Sequence, residues 1–136
     1  MITNLSPTIP VAEVRRLLGY PSRHTIPKRV QSLLDALLAQ APALLEPRGT
    51  FEQFALSDAG AVQLPLPGAE RSLSGFALGL VTIGAHLEER TTAALNSGDA
   101  TEALLLDAIG SAATEAAADS LCSLLAARHT IPDPAA

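Results

Sequence analysis

The spacing of apolar and polar positions divides the chain into a punctuated front and a regular back. Val11, Val14, Leu17 and Leu18 fall at helical spacing before Gly19-Tyr20-Pro21 interrupts the pattern, which predicts a short amphipathic helix over 11–18. Val30, Leu33, Leu34, Leu37, Leu38 and Ala41 mark one face of a second helix, with Thr25 as its expected cap and Pro27 near its first turn. Pro42 lies inside that pattern, so the helix is expected to end before it or to restart briefly through Leu45 and Glu46. Residues 49–56 read as a strand, on which Phe51 and Phe54 stand at an odd offset that a bulge or burial on both sides would reconcile. Turn residues at Asp58 and Gly60, a short strand over 61–64 and the Pro65 to Gly68 stretch predict a hairpin followed by a loop.

From Gly75 to Gly84 the chain is an almost continuous apolar run bounded by glycines. That pattern predicts a strand covered on both faces, the central strand of the sheet. Directly afterwards the period changes to helical, with Ala85, Leu87, Thr91, Ala94 and Leu95 inward and Glu88, Glu89 and Arg90 outward, until Asn96-Ser97-Gly98. Asp99 or Thr101 is expected to cap a long Ala/Leu helix over about 100–128, roughly 42 Å at 1.5 Å per residue. Gly110 in mid-helix costs about 1 kcal/mol relative to Ala, so the small residues from Gly110 to Ala117 are expected to let another backbone approach closely. The fold class that follows is α+β: one domain over 1–136, with a small, mainly antiparallel sheet covered by helices and dominated by the long one.

Composition supports helix over sheet. Ala (25) and Leu (23) supply most of the 65 apolar positions, whereas Val and Ile together give 11. Proline follows the same division, because eight of ten lie between Pro7 and Pro67 and none between Gly68 and Ile131. Charge is divided as well: residues 1–48 carry six Lys/Arg against three Asp/Glu, a balance of +3, and residues 49–136 carry three against eleven, a balance of −8. Arg15, Arg16, Arg23, Lys28, Arg29 and Arg48 come with a single aromatic, Tyr20, so neither stacking readout nor a nucleic-acid motif is indicated. A solvated face, or complementarity between the basic and acidic ends of two copies, explains the asymmetry instead. One cysteine, Cys122, excludes an internal disulfide or a multi-thiolate metal site and fits a reducing cytoplasm, and its expected state is a buried, inert thiol. No export signal or membrane span is indicated by the first ten residues or by the longest apolar run.

The candidate chemistry lies on the long helix. Asp107, Ser111, Glu115 and Asp119 are spaced by four, so one stripe carries three carboxylates and a hydroxyl. Such a stripe suits an ammonium or sulfonium group or another cation, or acid/base work if a pair is buried. From the residues alone, a solvated helix face is the favoured account of it. His24, His86 and His129 show no metal-ligand spacing, and no dinucleotide fingerprint, phosphate loop or nucleophile elbow occurs. Arg-His-Thr-Ile-Pro is present twice, at 23–27 and 128–132, without a functional account.

The stretch Thr82-Ile-Gly-Ala-His-Leu-Glu-Glu-Arg90, the Asn96-Ser-Gly-Asp99 turn and the long-helix segment from Ala103 to Leu121 resemble the activation domain of cobalamin-dependent methionine synthase. The likeness is closest to small stand-alone relatives of that domain. With Glu13-Val-Arg-Arg-Leu-Leu-Gly-Tyr20 at the front, it covers about residues 11–121. It implies a domain that binds S-adenosylmethionine and presents its methyl group to a corrinoid carried by a partner. It also implies that Glu115 and Asp119 contact the aminoacyl group, with Asp107 and Ser111 supporting them. The family's main ligand motif, an Arg followed shortly by Pro-Gly-Tyr after the long helix, does not occur in these 136 residues. The leading expectation is therefore a non-catalytic accessory protein beside a corrinoid protein or methyltransferase. A reactivation module completed by a partner chain or a dimer is the alternative, and a small enzyme using Glu115 and Asp119 is the third. An Ala-rich helix with small residues on several faces should leave apolar surface seeking cover, so a homodimer or hetero-oligomer is expected in each case.

Overall fold

The computed structural model describes residues 1–21, 23–55 and 75–129. The elements run β1 (Thr3–Asn4), α1 (Val11–Leu17), α2 (Lys28–Leu44), β2 (Arg48–Ala55), β3 (Gly75–Thr82), α3 (His86–Asn96) and α4 (Ala100–His129). The three strands form one antiparallel sheet in the order β1-β2-β3, so the fold is α+β as the pattern predicts. The hairpin, strand and loop expected between Asp58 and Gly68 lie outside the described residues, as does the end of the second Arg-His-Thr-Ile-Pro.

Helix ends follow local chemistry. Gly19 and Gly98 take φ of 81° and 84°, and each closes its helix with paired backbone bonds: Tyr20 N to Arg15 O and Gly19 N to Arg16 O after α1, Asp99 N to Ala94 O and Gly98 N to Leu95 O after α3. Asp99 then caps α4, its Oδ1 accepting from Glu102 N at 3.0 Å, and Thr101 lies inside the helix. At α2 the expectation fails. Pro27 occupies the cap position, Thr25 makes no capping bond, and the helix runs through Pro42 to Leu44. Pro42 is exposed beside buried Ala41, so the apolar face stays docked while the carbonyl four residues back forgoes its helical partner.

Two corrections concern the sheet. The strand expected at its centre, β3, is an edge strand among the described residues, and β2 lies between its neighbours. Nor is β3 covered on both faces: Leu78 and Leu80 are exposed. The β2 and β3 register is unbroken from Arg48↔Thr82 to Ala55↔Gly75, so no bulge separates Phe51 from Phe54. They occupy opposite faces. Phe51 packs towards α4, and Phe54 stacks on its cross-strand partner Phe76 with centroids 5.2 Å apart.

Helix α4 organises both halves of the core. Its first half, through Leu105, Leu106 and Ile109, packs with Val14, Leu34, Leu37 and Leu87 from the other three helices. Ala112, Ala113 and Ala117 are fully buried at the crossing, and Leu121 then joins Leu5, Phe51 and Val81 beneath the sheet. At Gly110 an added Cβ would sit 2.9 Å from Leu87 Cδ2, the close approach that offsets the cost of a mid-helix glycine. Of the small residues on α4, Ala112, Ala113 and Ala117 are covered within the chain. Apolar surface is left open both on the sheet, at Leu78 and Leu80, and on this helix, at Leu104 and Leu124. Leu95, expected inward, is exposed, and so is Cys122, which falls on the flank of α4 away from the sheet contact made by Leu121.

Candidate functional site

A cleft of about 610 Å³ opens where three elements meet. The end of β3 contributes Val81 and Thr82, and the Ile83-Gly84 turn leads into α3, which adds Leu87, Glu88 and Thr91. Helix α4 supplies the opposite wall through Asp107, Gly110, Ser111, Thr114 and Glu115. The turn is fixed from two sides. Gly84 N donates to Thr82 Oγ1 at 3.0 Å, and Glu46 N donates to Ile83 O at 2.8 Å. A Cβ at position 84 would stand 3.1 Å from Glu46 Cβ, so the α2 to β2 link presses directly on the entry to α3.

Three of the four stripe residues, Asp107, Ser111 and Glu115, line this cleft, and Asp119 does not. The reason is helical rise. Twelve residues at 1.5 Å place position 119 about 18 Å from 107, further than one aminoacyl group reaches. All three carboxylates of the stripe are exposed, so the burial that acid/base work would require is lacking. Glu88 brings a further carboxylate into the cleft from the α3 side. Thr91 and Thr114 donate to Leu87 O and Gly110 O in their own helices, and Thr82 accepts from Gly84 N. The Ser111 hydroxyl makes no hydrogen bond among the described residues and so is available to a ligand.

Among the described residues no cationic side chain lines the cleft. The Arg16–Glu13 pair of α1, with Arg16 Nε donating to Glu13 Oε2 at 3.0 Å, interacts electrostatically with Glu115 of the cleft. Its hydrogen bond holds the Glu13 carboxyl below the ordinary carboxylate value. Arg16 is raised above its own, chiefly by Glu13 and in smaller part by the charge on Glu115. One carboxylate of the cleft therefore borders a guanidinium, and the Asp107–Glu88 side carries the unbalanced negative charge. The arrangement can hold a cationic or hydrogen-donating group by charge-assisted contacts.

His86, expected to open a helix beside the apolar strand, does so. It is half-exposed, with Nε2 3.4 Å from Glu46 and Nδ1 3.5 Å from Glu89. Among the described residues no group of three His, Cys, Asp or Glu side chains is placed to hold a metal ion. No helix there is long and apolar enough to cross a membrane. Glu88, Thr91 and Thr114 were not legible as site residues. Glu88 reads as an ordinary first-turn acid, and nothing in its spacing points to α4. No protein-family model and no curated protein matches the chain.

Proposed function

We propose that the chain is a non-catalytic accessory protein related to the activation domain of cobalamin-dependent methionine synthase, acting in the cytoplasm beside a corrinoid protein or methyltransferase. The reading is supported by the order of elements over 75–129. An apolar strand ends in Ile-Gly, a helix follows, and a Gly-Asp turn leads into a long helix, which is the order the resemblance implies. Exposure of every carboxylate on the stripe favours a binding role over acid/base catalysis.

A second reading has its own observation. The cleft gathers Asp107, Ser111 and Glu115 with Glu88, which suits the ammonium or sulfonium of S-adenosylmethionine, with the rest of the site coming from a partner or a second copy. Thermal unfolding with and without millimolar S-adenosylmethionine separates the two. A ligand at 100 times its dissociation constant adds about 2.7 kcal/mol, a shift of several degrees for a domain of this size. A shift that disappears in Glu115→Ala selects the ligand-binding module. No shift, together with co-sedimentation with a cobalamin-loaded corrinoid protein, selects the adaptor. Absence of both removes the two readings together.

A further inference from the structure

The sheet covers its inner face with α4, and among the described residues no element packs on its outer face. Leu80 is 72% exposed there and Ile2 68%, and the stacked Phe54–Phe76 pair closes one end. Thr50 lies directly opposite Leu80, and its hydroxyl donates to Met1 O on the other side, so Ile2, Thr50 and Leu80 form a row across the strands. Among the described residues this face carries two charged side chains, Arg48 and Glu52, both exposed and neither in an ion pair. They stand two positions to either side of Thr50 on β2, about 7 Å from the row in each direction.

This spacing is self-complementary. A two-fold axis lying between two such faces, perpendicular to the strands and passing along the Thr50–Leu80 row, reverses strand direction and carries position 48 onto position 52. Arg48 of each copy then meets Glu52 of the other, twice, and Leu80 stacks on Leu80 at the axis. A uniformly acidic or basic partner would meet a like charge at one of these two positions. We propose that the outer face of the sheet is a homodimer interface occupied by a second copy of this chain, packed face to face with β2 antiparallel to β2. The inference does not depend on the functional reading above. Two strands of eight residues spaced about 4.8 Å, extended by the two residues of β1, give a patch of about 280 Å². That is below the about 800 Å² per partner of a stable interface, so the dimer is weak and dissociates on dilution.

Sedimentation equilibrium of the full chain at low salt, from about 1 µM to 1 mM, tests this. The expected result is a reversible monomer–dimer equilibrium that Leu80→Asp abolishes, with circular dichroism unchanged because the side chain is exposed. Arg48→Glu and Glu52→Arg each juxtapose like charges and raise the dissociation constant about tenfold. An equimolar mixture of these two variants regains association, because one presents two acids and the other two bases. A chain that stays monomeric at 1 mM overturns the proposal and leaves the face to a different protein. So does a dimer insensitive to Leu80→Asp, or a mixture that associates no better than its components.

Discussion

Leu121 is held in a seat made by two glycines, and the fit can be tested as a coupling energy. Its side chain is 3% exposed, and a Cβ built on Gly79 would lie 2.8 Å from Leu121 Cδ2, against 3.3 Å for one built on Gly49. Ordinary carbon contacts are about 3.5–4.0 Å, so Gly79→Ala requires at least ~0.7 Å of movement in a packed layer. The overpacking costs about 1–3 kcal/mol, offset by up to about 1 kcal/mol from the lower entropy of the unfolded chain. Leu121→Ala removes the knob and leaves a void, at about 3 kcal/mol. In the double variant the new methyl enters the space vacated by the leucine, so the two costs do not add. A coupling of about 1–2 kcal/mol is expected, measured by urea unfolding of all four proteins with a common slope. Additivity within about 0.5 kcal/mol would refute the seat. Gly49→Ala serves as the internal comparison, with a smaller coupling to Leu121→Ala.

Other expectations follow from the same contacts. Ile109→Ala, at a fully buried position where α4 meets the other helices, should cost about 2–5 kcal/mol in chemical denaturation, well above the near-neutral effect of Leu104→Ala on the exposed side. Asp99→Ala removes the α4 cap and should cost about 1 kcal/mol, with faster amide exchange at Glu102 as its local signature. Arg16→Ala should raise the NMR titration midpoint of the Glu13 carboxyl towards its ordinary 4.5. In the wild type the folded value of Glu13 is depressed, so the pair stabilises the fold at neutral pH and loses that contribution as pH falls from 4.5 through the folded value.

The parts of the fold that were legible in the sequence are those fixed by local chemistry. Asn96-Ser97-Gly98-Asp99 ends one helix and caps the next through backbone and side-chain bonds spanning a few residues, and both could be read directly. The β3 run misled because an apolar stretch reports attraction to something apolar without saying whether this chain supplies it. Leu78 and Leu80 point to an uncovered face. Thr25 and Pro42 failed for another reason: tertiary docking of Leu34, Leu37 and Ala41 fixes α2 more strongly than its punctuation does. At the site, spacing by four correctly identified one stripe of α4. It could not show that the facing wall comes from α3 and the end of β3, nor that Asp119 lies too far along the axis to join.

The position of α4 also governs when the protein can fold during synthesis. The first three helices and the sheet all bury their apolar surface against residues 103–121, which the ribosome delivers after them. Until that stretch has left the exit tunnel, the β2–β3 pairing and the α1–α2 segment have no common core to close upon. The emerging chain must therefore carry exposed leucines for most of its translation. Chaperone dependence should follow the completion of α4 and not the length already made.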